Sequence, residues 1–389
     1  MTELVELRRR FHQIPEVGLD LPQTQALVLE SLEGLPLEIT LGESLSSVVA
    51  VLRGTKTSDG DRPVVLLRAD MDALPVEEAT GLDYASTNGN MHACGHDLHM
   101  TMLIGAAREL CARRDELAGD VLFMFQPGEE VRNGASYMIR EGALEAAGRK
   151  IDAAYAIHVW AGLEPYGTFT TKPGTTMASH DFIEVRYTGQ GGHGSAPHKA
   201  NDPVPALAEL ITASHAMVTR QFDVFDPVVL TIGTIAAGQS ANVIPESARL
   251  EASIRAFSPE ARNKVIERFE RLARGIGDAH GLRTDVHPSH PPYPVTVNDE
   301  AETQYVANTI VRMLGPERHV RWEQSLTSSE DFSQVLEAAP GCFFGLSACP
   351  KDLDPATAPF NHSAFAQFDD GVLDDGVRVF TELVLGKLG

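Results

Sequence analysis

Residues 91–100, MHACGHDLHM, put His92, Cys94, His96, Asp97 and His99 within ten positions. Thiolate and imidazole bind borderline divalent cations such as zinc, and carboxylates extend the range to manganese. Further donors stand elsewhere in the chain: Asp70 and Asp72 in RADMDALP, Glu129 and Glu130 in QPGEE, and His158 in AIHVW. In a Glu-Glu pair one carboxylate can hold a metal while its neighbour takes a proton from a bound water, the division of labour of metal-assisted hydrolysis. On a surface such a pair is usually a solvated face. Here it closes an apolar run and follows Pro127-Gly128, which favours a site. Cys94 and His96, one residue apart, already offer two donors from one loop, so His92 and His99 read as structural or supporting residues. Lone histidines such as His12, His180, His215, His280 and His319 carry no assigned role, and Cys111, Cys342 and Cys349 read as small buried hydrophobes.

Distant donors converge only if the fold brings them to one edge. PVVLLRAD, GDVLFMFQ and DAAYAIHV are nearly continuous apolar runs, the pattern of strands buried on both faces, and helical runs separate them. HDLHMTMLIGAARELCARR repeats Leu98, Met102, Leu103, Ala106 and Leu110 at helical spacing. In an open α/β sheet ligands bind at the carboxyl ends of the strands, where all of these donors fall. From about residue 178 the pattern changes. DFIEVRYT alternates as a half-exposed strand, and the order β-α-β-β-α, with a last strand near RTDVHP, is that of a ferredoxin-like unit. The expected fold is thus α/β: a mixed-sheet catalytic domain with helices on both faces, in two parts (1–177 and 292–389). A ferredoxin-like α+β lid and dimerisation domain (178–291) is inserted between them.

The length suits two domains. With 32 Lys and Arg against 54 Asp and Glu, the formal charge is −22, a field that repels phosphate backbones and anionic membranes. Nucleic acid and membrane are therefore not expected partners. The first residues lack the apolar run of a signal peptide, no stretch reaches the length of a membrane span, and four cysteines do not make a disulfide scaffold. A reducing cytoplasm is the expected compartment.

Taken in order, RRRFHQIPEVG, RADMDALP, MHACGHDLHMTML, FQPGEE, GQGGHGSAPH, NVIP, SSEDF and NHSAF resemble the amidohydrolase branch of the aminoacylase and carboxypeptidase G metallopeptidase family. That branch includes hippurate hydrolases, indole-acetyl-amino-acid hydrolases and N-acetyl-diaminopimelate deacetylases, and the motifs span nearly the whole chain. The resemblance implies two divalent ions per chain, zinc or manganese first and cobalt or nickel next. Cys94, His96, Glu130, His158 and His362 would be ligands and Glu129 the general base. Asp72 would support the site from behind. It further implies that His193 polarises the scissile carbonyl, that Asn242 and Arg255 bind substrate, and that the chain is a homodimer paired through the lid.

The expected reaction is hydrolysis of the amide bond of an N-acyl amino acid. A dipeptidase or carboxypeptidase of the same superfamily would need the same metals. A metal-dependent binding protein without turnover is the rival of another class, and the presence of Glu129 speaks against it.

Overall fold

A computed structural model of the chain describes residues 3–57, 60 and 62–389. The chain divides into two compact units: Met1–Thr176 with Val297–Gln324 and Asp331–Gly389, and Met177–Thr296 with Ser325–Glu330.

The first unit is built on an eight-stranded mixed sheet. Its strands β1 (Leu37–Leu41), β2 (Val48–Arg53), β3 (Val64–Asp70), β4 (Asp120–Gln126), β5 (Ala153–Trp160) and β6 (Phe169–Thr171) are joined by two from the returning chain, Gly341–Ser347 and His319–Arg321. The apolar runs read from the sequence are β3, β4 and β5. All three are buried along their whole length and run parallel, β3 lying between the other two. Burial on both faces leaves no alternation for solvent to impose, hence the continuous apolar pattern. β1 pairs antiparallel with β2 and β2 with β4, while Gly341–Ser347 runs parallel to β5, completing a mixed sheet.

Helices pack against this sheet. α1 (Glu3–His12) buries Leu7 and Phe11, four residues apart on one face. α2 (Pro22–Leu32) and α3 (His96–Ala112) follow, α3 contributing Leu98, Met102, Leu103, Ala106 and Leu110 to the core as its spacing required. Cys111, Cys342 and Cys349 are all buried free thiols.

The second unit runs strand Asp181–Thr188, helix Pro203–Gln221, strands Val228–Ala237 and Ser247–Ala256, helix Pro259–Ala279 and strand Arg283–Pro288. The four strands form an antiparallel sheet, with Ser247–Ala256 and Asp181–Thr188 at its centre and Val228–Ala237 and Arg283–Pro288 at its edges. Ser258 caps the second helix by accepting from the Ala261 amide at 3.0 Å, with Pro259 next in line. Residues 325–330, which the sequence placed with the returning chain, belong with this unit because Leu326 forms a parallel bridge with Met177 and accepts from the Ala178 amide. Among the described residues, no helix is long and apolar enough to cross a membrane.

Candidate metal centre

Three backbone devices bring the donors of the first unit together. β3 ends at Asp70, and the chain then carries Asp72 into a buried position. Gly95, at φ 83°, turns the chain into α3, so that Cys94 precedes the turn and His96 opens the helix. A β-carbon on Gly95 would stand 2.3 Å from Val159 Cγ2 on β5, so glycine is required both for the turn and for the approach to the neighbouring strand. Beyond β4, Gly128 makes the same left-handed turn at φ 78°, where a β-carbon would meet Leu19 Cδ2 at 2.4 Å.

Glu129 and Glu130 therefore open a short helix, α4 (Glu129–Arg132), rather than ending a strand as the sequence suggested. Their side chains still converge, because Asp72 takes both new helical amides: Oδ1 accepts from Glu129 N at 2.9 Å and Oδ2 from Glu130 N at 3.1 Å. The helix start exposes free N–H groups and a partial positive charge, and a buried carboxylate satisfies both.

The donor atoms meet closely. Cys94 Sγ lies 3.4 Å from His158 Nε2 and 3.3 Å from His362 Nε2, and His362 Nε2 lies 3.3 Å from Glu130 Oε1. Ligand atoms of Cys94, His96 and His158 fall within 4.8 Å of one another, as do those of Cys94, Glu130 and His362, and those of His96, Glu129 and Glu130. Glu130 is thus grouped with Cys94 and His362 on one side and with His96 and Glu129 on the other.

Both buried histidines are fixed in one tautomer. His96 donates Nδ1–H to the Asp72 carbonyl at 2.8 Å and His158 donates Nδ1–H to the Val159 carbonyl at 2.9 Å, which leaves each Nε2 with a free lone pair. Among the described residues, His96 Nε2 is buried without a hydrogen-bond partner. The His158 ring also stacks on Trp160 at 4.3 Å. His362 stands at φ 71°, a left-handed conformation that is strained for a non-glycine residue, held by its amide bonding to the Ala93 carbonyl at 2.8 Å.

The electrostatics fit a cation. Burial, followed by the nearby Glu130 and Glu129 carboxylates, pushes the Cys94 thiol well above its ordinary range. Burial holds His96 below its ordinary value and His158 well below it, so both imidazoles are neutral. Burial and Glu130 raise Asp72 well above the usual carboxylate range, while its hydrogen bond to Glu130 raises His362. A thiol, neutral imidazoles with outward lone pairs and crowded carboxylates form a donor set that divalent ions satisfy.

Residues that the sequence read as structural, such as His99, or left without a role, such as His12, support this floor. His99 donates Nδ1–H to Asp70 at 2.6 Å and its Nε2 accepts from the Val159 amide at 2.8 Å, tying α3 to β5 beside His158. Asp70 is held in turn by Arg68 at 2.5 Å, and Arg68 also reaches Asp331 at 2.9 Å. Asp97 receives Arg8 at 2.8 Å and His12 at 2.7 Å, anchoring the start of α3 to α1. His92 is buried with neither ring nitrogen hydrogen-bonded among the described residues, and burial lowers its pKa to about 3.

The remaining candidates lie in the second unit. Exposed His193 pairs in register with Val243 in a two-stranded ribbon, and Gly194 N donates to the Asn242 carbonyl at 2.8 Å, so His193 and Asn242 are neighbours. His193 Nδ1 accepts from Ser195 N at 3.2 Å, placing the ring proton on Nε2. Arg255 stands apart on strand Ser247–Ala256, donating to the Thr327 carbonyl at 2.8 Å and to His180 Nδ1 at 3.3 Å.

Fold and donor set together define an α/β protein with a candidate divalent-metal centre, and comparison with known proteins gives the family. Residues 66–386 match the model of peptidase family M20/M25/M40. Thermostable carboxypeptidase 1 of Saccharolobus solfataricus is 34% identical over 96% of this chain and 92% of its own length. N-acetylcysteine deacetylase of Bacillus subtilis is 34% identical over 99% of this chain and 96% of its own. A Bacillus subtilis crystal structure described as a dinuclear metal binding peptidase from the M20 family superposes with TM-score 0.80 at 32% identity, covering 99% of this chain and 97% of that one. The chain belongs to peptidase family M20/M25/M40, and the resemblance to its amidohydrolase branch is borne out. It is a metal-dependent amidohydrolase.

Proposed function

We propose that the chain hydrolyses the amide bond of N-acyl amino acids at two divalent ions held by Cys94, His96, Glu130, His158 and His362, with Glu129 as general base. The observation that carries this reading is the convergence of a thiol, imidazoles and two adjacent carboxylates beyond the ends of β3, β4 and β5. Glu130 Oε1 lies 3.3 Å from His362 Nε2 and groups with Cys94 and His362, which supports its role as ligand, and the grouping of the adjacent Glu129 with His96 and Glu130 supports its role as base. Zinc or manganese suits a mixed S, N and O donor set, with cobalt or nickel next.

When bound, the ions acidify a water and polarise the scissile carbonyl. Glu129 accepts the proton of that water at its carboxylate and delivers it to the leaving nitrogen. Asp72 keeps Glu129 and Glu130 in place through their amides. His96 and His158 present Nε2 because their Nδ1–H groups are engaged on carbonyls. His193, with its proton on Nε2, donates to the developing oxyanion, a contribution of roughly 3–4 kcal/mol for one such donor. Arg255 pairs with the carboxylate of the amino acid, and Asn242 contacts the substrate beside His193.

The second unit is read as an inserted ferredoxin-like lid through which two chains pair, its edge strand Val228–Ala237 being open to a second copy. The proposed compartment is the cytoplasm. The carboxypeptidase among the relatives keeps a second reading in view, cleavage of a peptide bond by the same machinery. The test is a panel of acetyl, benzoyl and indole-acetyl amino acids beside dipeptides, assayed with the zinc, manganese, cobalt and nickel forms. Faster turnover of acyl amino acids supports the proposal, and faster turnover of dipeptides supports the peptidase. Binding without turnover in every metal form would leave a ligand-binding protein.

A further inference from the structure

Arginine charges in this protein are generally matched by acids. Arg53 reaches Glu38 and Asp120, Arg68 reaches Asp70 and Asp331, and Arg262 reaches both oxygens of Asp181. Arg255 is different. It is half-buried, and among the described residues no carboxylate lies in ion-pair range of its guanidinium; its acceptors are the Thr327 carbonyl and the His180 ring. Both are neutral.

His180 is itself firmly placed. Its backbone exchanges hydrogen bonds with Tyr293 at 2.9 Å in each direction, and its ring lies 4.0 Å from that of Phe182, which meets His290 edge-on at 5.0 Å. A guanidinium only donates, so Nδ1 is the acceptor toward Arg255, and the proton resides on Nε2, which donates to Ser253 Oγ at 2.9 Å. Ser253 and Arg255 are two residues apart on one strand and so point to the same face of the sheet. Burial, then the Arg255 charge, lowers the His180 pKa to about 4, so the ring stays neutral at working pH.

We propose that His180 is a positioning residue for Arg255: a neutral acceptor that fixes the guanidinium while leaving its charge unspent for an anionic group of the substrate. An acid in this place would hold Arg255 as well but would cancel the charge. The inference rests on the reading that Arg255 binds the substrate carboxylate, and it adds the device that keeps that carboxylate site both rigid and cationic.

The test uses the full-length metal-loaded enzyme, the best-turned-over N-acetyl or N-benzoyl amino acid, and the same compound with its carboxylate capped as a carboxamide. For the carboxylate substrate, His180→Phe keeps a ring against Phe182 but removes the acceptor, and should raise KM about tenfold, the size expected for losing one hydrogen bond to a charged group. Its kcat should stay within about twofold. His180→Glu should raise KM further by neutralising Arg255. His180→Asn, which retains a neutral acceptor, should restore most of the loss. None of the three should change KM for the carboxamide, an outcome that a merely structural role would not produce. If His180→Phe does not fold, the contrast between His180→Glu and His180→Asn carries the test. Unchanged KM in the Phe and Glu variants, with a raised KM in Arg255→Ala, would overturn the role of His180 and leave the carboxylate reading standing. An Arg255→Ala enzyme that still prefers the carboxylate over the carboxamide would overturn both.

Discussion

Asp72 and Glu130 are joined through the main chain, the Asp72 carboxylate accepting from the Glu130 amide at 3.1 Å while its other oxygen accepts from Glu129 N at 2.9 Å. One buried side chain thus sets the position of both the proposed base and a proposed ligand. Asp72→Asn keeps only one acceptor oxygen, so one of the two amides loses its partner. Metal affinity should fall by about 10- to 100-fold, as for other groups that orient metal ligands, and Asp72→Ala should lose more. Metal titration of the two variants checks this; affinities equal to wild type would show that α4 holds its glutamates without Asp72.

Replacing Cys94 should discriminate between metals. A serine hydroxyl is a harder donor than a thiolate, so Cys94→Ser should lose zinc affinity by more than tenfold while manganese affinity falls less. Competition against a chelator for each metal gives both numbers. Equal affinity for both metals before and after the change would make Cys94 a neighbour of the site and not a ligand.

His12 gives a pH-dependent prediction. Burial lowers its pKa, but hydrogen bonds to Asp97 and Glu78 outweigh that and raise it above 6.5. A raised pKa means that the folded chain holds the proton more tightly than the unfolded one. The contribution is complete below pH 6.5 and is lost as pH rises through the raised value. The stability difference between wild type and His12→Gln should therefore be largest below pH 6.5 and shrink as pH rises through the raised value, as read from denaturant midpoints. A difference independent of pH would mean that His12 acts by packing alone.

Much of this arrangement was legible in the chain. The unbroken apolar runs of β3, β4 and β5 and the helical spacing from Leu98 to Leu110 carry their own periodicity, and their shared edge follows from parallel strands. The helix opened by Glu129 was not legible, because it depends on the left-handed turn at Gly128 and on Asp72, which lies 57 and 58 positions earlier. The anchoring contacts of His99, His12 and His180 were hidden for the same reason. Each is defined by a partner, Asp70, Asp97 or Arg255, that stands 29, 85 or 75 positions away, and no local pattern announces it.

If His193 completes the site of a second chain, two inactive variants should complement each other. Co-expressed His193→Ala and Glu129→Gln would form mixed dimers in which one site of two has both residues intact, giving roughly a quarter of wild-type activity under random pairing. Mixed dimers with no more activity than either variant alone would confine His193 to its own chain.

The central claim is that Glu130 holds metal while its neighbour Glu129 moves the proton, and metal content measured beside turnover in Glu129→Gln and Glu130→Gln tests it most directly. Glu129→Gln should retain two ions per chain and lose turnover by at least about a hundredfold, the scale of general-base catalysis. Glu130→Gln should lose metal together with activity. A Glu129→Gln protein depleted of metal beside a fully loaded Glu130→Gln protein would contradict the account and exchange the two roles.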